Sequence, residues 1–113
     1  MTNRLIVVNL RFEGIHYWEE AEKLLPEVGF LSFPHRHIFH IKVIKRVHHN
    51  DRDIEIILFK RKIEEFLKQK FPNGKLNKMS CEDLAELIFA EFECEEVEVM
   101  EDGENGALLR YTK

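Results

Sequence analysis

Two long segments of alternating side chains constrain the fold of this chain more than any other feature. In residues 5–16 and 33–47, almost every second side chain is apolar or a histidine, and most of the charges lie at the positions between. Successive side chains of a β-strand point to opposite faces, so a period of two is typical of a strand buried on one face. We therefore expect two strands of an antiparallel sheet with one covered face.

The remaining segments predict two helices and two further strands. Residues 17–32 are interpreted as a connection with a short helix, and Ile54–Leu58 as the end of a strand. A helical period starts at Phe59 and ends at Pro72-Asn73-Gly74, and Ser80 fits the N-cap of a second helix. Val97 and Ala107 begin the last two strands. The prediction is an α+β domain spanning residues 1–113, with a four-stranded antiparallel sheet, two helices packed on one face and the order β-β-α-α-β-β.

Size and charge limit the partners. A chain of 113 residues can bury one core, so an extended ligand site is expected to need a second subunit. Residues 1–79 carry 15 basic and 10 acidic side chains, and residues 80–113 carry 2 and 11. This asymmetry is compatible with a phosphate-attracting basic patch on the first part or with two ordinary solvated faces, and it gives no clear nucleic-acid signal. The apolar run Leu5–Val8 is too short for a signal peptide or a membrane span. We expect a cytoplasmic protein with both cysteines reduced and buried.

Three histidines share the face that the helices are expected to cover. His16 is in phase with the apolar side chains of the first strand, and His35 and His37 are in phase with those of the second. If the two strands pair antiparallel, all three imidazoles meet at one end of the core. Three histidines with a fourth position open form a recurrent catalytic or substrate-binding Zn²⁺ site, although short His-x-His matches also arise by chance. His40, His48 and His49 are interpreted as solvated or as subunit contacts.

The order of several motifs resembles that of the 6-pyruvoyl- and 6-carboxytetrahydropterin synthases, the tunnelling-fold family. The resemblance covers about 100 residues in six pieces and is carried by their order. The pieces are Phe12-Glu-Gly-Ile-His16, His35-Arg-His37, Glu55–Ile63, Leu76-Asn77 followed by Met79–Ala85, Val97–Asp102, and Asn105-Gly-Ala107 with Tyr111 closing the strand.

The resemblance implies subunits that join their sheets into a barrel, as a trimer or hexamer, with ligand pockets between subunits. It also implies Zn²⁺ on His16, His35 and His37, and a purine-like ring anchored by the carboxylate of Glu101. The alternation agrees with that last role, because Glu101 shares one face with Val97 and the other apolar residues of its strand. A buried carboxylate needs hydrogen-bond donors, which the N–H edge of a pterin or guanine supplies in bidentate fashion.

The sequence departs from the family where the lyase chemistry resides. The family's base is a cysteine shortly before the second histidine motif, and residues 29–34 contain none. The family's Asp-His pair is replaced by Pro72 and Asn73, which cannot relay protons near neutral pH. Ser32 is the only hydroxyl nearby and is a poor base without an activating partner. Cys81 lies in a different segment, at the start of the second helix, and is not expected to substitute.

Three functional hypotheses remain open at this point. The first is a divergent tunnelling-fold protein that binds a pterin, deazapurine or purine nucleotide at a subunit interface, with zinc and without the standard lyase machinery. The second is an active lyase on 7,8-dihydroneopterin triphosphate that uses zinc-bound water or Ser32. The third is a non-enzymatic scaffold or a nucleotide-sequestering protein. The sequence does not decide whether the chain is an enzyme.

Overall fold

A computed structural model describes residues 2–112 and confirms the α+β class, with one mixed five-stranded sheet. The strand order across the sheet is β3-β1-β2-β4-β5, and two 3₁₀ segments, Pro26–Ser32 and Pro72–Gly74, lie in the connections. The strands are β1 (Arg4–His16), β2 (His35–Val47), β3 (Lys75–Asn77), β4 (Glu96–Glu101) and β5 (Asn105–Arg110), and the helices are α1 (Ala21–Leu24), α2 (Ile56–Lys70) and α3 (Cys81–Phe92).

The register of the two longest strands positions the site. Strands β1 and β2 pair antiparallel along their whole length, from Arg4 opposite Val47 to His16 opposite His35. Strand β4 pairs antiparallel with the other edge of β2, and this places Glu101 opposite Phe39. The end of β1 therefore lies beside the start of β2, as the alternation predicts, and the end of β4 lies on the other side of β2.

The prediction of four antiparallel strands is wrong in one respect, because a fifth strand joins the sheet. Strand β3 pairs parallel with the last residues of β1, at Ile15 and His16. Three residues are too few to show a period, so the sequence pattern cannot reveal this strand. The turn before it needs glycine, since Gly74 has a φ of +71° and an added Cβ would collide with the backbone oxygen of Glu13.

The interpretation of Ile54–Leu58 as a strand end is also wrong, because helix α2 starts at Ile56. Glu55 is its N-cap, and the carboxylate accepts hydrogen bonds from the backbone N–H groups of Ile57 (2.7 Å) and Leu58 (3.2 Å). Capping satisfies donors that the first helical turn otherwise leaves free. This local bonding outweighs the β propensity of Ile56 and Ile57, whose side chains are exposed.

Helices α2 and α3 cover one face of the sheet, as predicted. Ser80 caps α3 in a full capping box: Ser80 Oγ accepts from the Asp83 N–H (3.0 Å), and the Asp83 carboxylate accepts from the Ser80 N–H (3.1 Å). Each large apolar side chain that is fully buried here contributes about 1.5–3 kcal/mol. The completely enclosed ones include Phe39, Ile41, Ile63, Leu67, Leu84, Ile88, Val97 and Val99. Between residues 2 and 112, no helix has the length and apolar character to span a membrane.

Candidate metal centre

Three imidazoles converge where β1 ends and β2 begins. The ring centroids of His16 and His35 are 4.6 Å apart, those of His35 and His37 are 5.0 Å apart, and those of His16 and His37 are 5.4 Å apart. One nitrogen of each ring lies within 4.8 Å of the other two. The buried ring of Phe39 packs edge-on against His16 and His37 and forms the floor of the cluster. The predicted convergence of the three histidines is confirmed.

The Nδ1 atom of every ring contacts an oxygen that can only accept. His16 Nδ1 lies 2.8 Å from the Met79 carbonyl oxygen, His35 Nδ1 lies 2.8 Å from that of Phe33, and His37 Nδ1 lies 2.7 Å from Asp102 Oδ2. Carbonyl and carboxylate oxygens accept hydrogen bonds, so each Nδ1 carries the hydrogen and donates it. In a neutral ring, Nε2 then keeps a free lone pair, which is the form that ligates metals.

The unshared Nε2 lone pairs fit a zinc ion. The Nε2 atoms of His16 and His37 are buried and have no hydrogen-bond partner among the described residues. A buried polar atom without a partner costs about 1–3 kcal/mol, so such atoms call for a ligand. A tetrahedral Zn²⁺ with bonds of about 2.0–2.1 Å spaces its nitrogen ligands about 3.4 Å apart. The cluster therefore needs only small ring movements to hold one ion.

A carboxylate faces the same two nitrogens. Glu101 is the last residue of β4, on the covered face as predicted, with 29% of its side chain exposed. Its Oε2 lies 3.0 Å from His16 Nε2, and its Oε1 lies 3.7 Å from His37 Nε2. The shorter separation is within hydrogen-bond range, but the atoms are not aligned for a hydrogen bond. The contact therefore brings a carboxylate oxygen of Glu101 close to the lone pair of His16 Nε2, and both atoms are hydrogen-bond acceptors.

Asp102 positions the third histidine, and the sequence analysis assigned this residue only to a turn. It adopts a left-handed φ of 53°, and its Oδ1 accepts the backbone N–H of Ile38 at 2.9 Å while Oδ2 accepts from His37. These two bonds hold the pKa of the Asp102 carboxyl below its usual value, and the bond from His37 makes the larger contribution. The acidic residue is thus kept in its accepting form, which fixes the His37 tautomer.

A cavity of about 430 Å³ opens beside the cluster. His16, His35 and Glu101 form part of its wall, and the remaining lining is mixed in character. These other residues are Tyr17, Trp18, Leu31, Lys78, Met79, Ser80, Cys81, Glu82, Asn105 and Gly106. A concave site of this size with a few convergent polar groups is typical of small-molecule binding.

Cys81 lies in this cavity, which sequence reasoning missed. It comes from the N-terminal end of α3, a different segment from the family's cysteine, yet the fold brings it beside Glu101. Burial raises the pKa of the Cys81 thiol to about 12, and the Glu101 carboxylate adds to the rise. The group is therefore a protonated thiol at neutral pH. Ser32 does not line the cavity, and its hydroxyl donates to the Gly29 carbonyl at 2.8 Å.

His40, His49 and Arg36 lie away from the cluster. His40 lies on the opposite face of the sheet, and His49 lies in the loop after β2, where it contacts Asp53 at 3.5 Å. Arg36 also points away from the cluster and pairs with Glu13 at 3.1 Å on the exposed face. The alternation therefore places His40 and Arg36 away from the residues of the site.

Comparisons with known proteins bear on the fold. No family model and no curated protein matches the sequence. Among solved structures, the chain is similar to 6-pyruvoyl tetrahydropterin synthase of Caenorhabditis elegans, with 15% sequence identity and a TM-score of 0.69 over 99% of this chain and 98% of that one. At this identity the likeness shows the fold. The fold implied by the motifs is thus confirmed at low sequence identity.

Proposed function

We propose that this chain binds a pterin, deazapurine or purine-nucleotide ligand in the cavity, with zinc on His16, His35 and His37 and without the standard lyase machinery. One observation carries the proposal: all three Nδ1 atoms donate to acceptor oxygens, which leaves the Nε2 atoms without hydrogens and able to bind a metal beside the cavity. Likeness in fold to a pterin-forming synthase supports the ligand class.

The residues of the chain have separate roles in this proposal. Zinc, when bound, supplies a Lewis acid that attracts an oxygen of the ligand. Glu101 accepts N–H groups from the ring edge, and its partial burial strengthens these charge-assisted hydrogen bonds. Trp18 and Leu31 contribute apolar contacts to the ring. We also propose that the chain forms a homo-oligomer, a trimer or hexamer, in which a neighbouring subunit completes the cavity.

A second candidate is a lyase acting on 7,8-dihydroneopterin triphosphate. The observation that favours it is the Cys81 thiol, which lines the cavity beside Glu101, although burial raises its pKa to about 12 and keeps it protonated at neutral pH. Against it, Ser32 is engaged with a backbone carbonyl, and neither Pro72 nor Asn73 lines the cavity. The chain therefore lacks the proton relay that the family uses, and we place binding ahead of catalysis.

The test combines metal analysis with ligand binding. Purified protein should bind about one zinc ion per chain, and His37→Ala should abolish that binding. His40→Ala is the matched control, because His40 lies three residues along the same strand on the opposite face. Isothermal titration with neopterin should give saturable binding to the zinc-loaded protein. Equal zinc content in both variants, or no binding of neopterin, guanine or 7-deazaguanine, would refute the proposal.

The catalytic candidate has its own readout. Dihydroneopterin triphosphate is incubated with zinc-loaded protein and with protein carrying Cys81→Ser. Turnover above an enzyme-free control that disappears in the variant would establish the lyase and displace the binding proposal. Turnover at the control level would leave binding as the function.

A further inference from the structure

The Glu101 carboxylate lies close to two ring nitrogens with which it makes no hydrogen bond. Two of its contacts are with Nε2 atoms, at 3.0 Å in His16 and 3.7 Å in His37. Both rings carry their hydrogen on Nδ1, so in their neutral forms the Nε2 atoms present lone pairs to the carboxylate. Lone pairs and a negative carboxylate repel one another unless a positive charge lies between them.

The distances from the two Glu101 oxygens to two of the three histidines are close to those between ligands of a common ion. Ligand atoms around a tetrahedral zinc ion lie about 3.4 Å apart, given bonds of about 2.0–2.2 Å to nitrogen and carboxylate oxygen. The two Glu101 contacts fall on either side of this value. A hydrogen bond would instead require an aligned N–H, and neither Nε2 makes one with any described residue.

From this we infer that Glu101 is the fourth ligand of the metal in the ligand-free protein, which makes the site His₃Glu. The inference rests on the proposed function, since it takes the three-histidine zinc centre as given. It adds that the same carboxylate has two competing partners, the metal and the N–H edge of the ring. Entry of the ring must then draw Glu101 away from the metal and open a coordination position.

Neighbouring groups support this exchange. The Cys81 thiol lies beside Glu101 in the cavity wall, where it can donate a hydrogen bond to the carboxylate. The following residue, Asp102, holds the backbone end of β4 through its bond to Ile38. Only the Glu101 side chain therefore has to rotate, and the strand itself can stay in place.

The test uses Co²⁺ in place of zinc, because the visible absorption of Co²⁺ depends on its coordination number and ligand set. Variants Glu101→Gln and Glu101→Asp are compared with Glu98→Gln, whose side chain lies on the opposite face of the same strand. Circular dichroism checks folding. We expect Glu101→Gln to weaken zinc affinity at least about tenfold, the lower bound for losing even an outer partner of a metal. Glu98→Gln should leave the affinity unchanged, and Glu101→Asp should recover part of it.

The release of Glu101 from the metal on ring binding has its own signature in the Co²⁺ absorption spectrum. Adding neopterin to the Co²⁺ protein should shift the visible bands in the wild type, and Glu101→Gln should show the shifted spectrum before any ligand is added. Equal zinc affinity in Glu101→Gln and wild type would overturn the inference while leaving the three-histidine site intact. Neopterin binding without a spectral change would refute the competition between the metal and the ring for the Glu101 carboxylate. A wild type that binds zinc but no ring ligand would instead refute the proposed function and leave the His₃Glu ligation standing.

Discussion

Replacing Asp102 by asparagine tests how the third histidine is held. Asp102 accepts two hydrogen bonds at once, from His37 Nδ1 at 2.7 Å and from the backbone N–H of Ile38 at 2.9 Å. Asparagine has one acceptor oxygen and one NH₂ group, so it can serve only one of these donors and must turn its own donor toward the other. The substitution thus preserves size while removing both the charge and one acceptor.

The expected loss of zinc affinity follows from the proposed role of Asp102, which holds the metal-binding His37 through its outer nitrogen. Carboxylates that hold a metal-bound histidine typically contribute 10–100-fold to metal affinity, so Asp102→Asn should weaken zinc binding by about that factor. Competition with a chromophoric chelator at constant pH measures the change. In addition, ¹⁵N NMR of the imidazoles should show that His37 in the metal-free variant is no longer held mainly with its hydrogen on Nδ1.

The matched control is Asp53→Asn. Asp53 also accepts a backbone N–H, from His48 at 2.8 Å, and lies 3.5 Å from a ring nitrogen of His49, but it is remote from the cluster. A general effect of losing a carboxylate beside a histidine would appear in both variants. Zinc affinity that changes less than about threefold in Asp102→Asn, or equally in the two variants, would refute the positioning role.

Two predictions concern stability. Gly14→Ala should destabilise the fold by about 1–3 kcal/mol, because the added Cβ would lie 2.7 Å from Leu76 Cδ1 and 3.0 Å from Phe39 Cε2, both in buried side chains. An unchanged midpoint of urea unfolding would contradict this prediction and show that the neighbouring side chains can move to accommodate the methyl group. Ser80→Ala should remove about 1 kcal/mol of the free energy of unfolding by deleting the cap on the Asp83 N–H. A loss below about 0.3 kcal/mol in urea unfolding would contradict that estimate.

The sequence predicts the site well where periodicity decides the outcome. The alternation in β1 and β2 assigns His16, His35 and His37 to one face, and antiparallel pairing brings them to one end. Glu101 follows from the same reasoning applied to β4. The faces depend on parity, which is readable along the chain, whereas the pairing of β4 with β2 is shown only by the fold.

Residues that depend on tertiary contacts were not predicted. Cys81 reaches the cavity only because α3 starts beside the end of β1, and no local pattern records that placement. The second role of Asp102 is hidden because an Asp-Gly pair is sufficiently explained as a turn. The sequence does not predict strand β3, because three residues are too few to show a period. It also does not predict the start of α2, because the hydrogen bonds of the Glu55 cap outweigh the strand preference of the apolar residues that follow.

The pairing of His16 with His35 at the very end of the β1–β2 ladder has a mechanical consequence. Residues 17–34 leave the sheet at one of these histidines and return at the other, so an ion held by both rings would cross-link the base of this excursion. Such a link closes a loop much as a disulfide does, and it is removed by chelation rather than reduction. Stability would then rise with free metal concentration. Protease resistance of this connection becomes a direct gauge of metal occupancy.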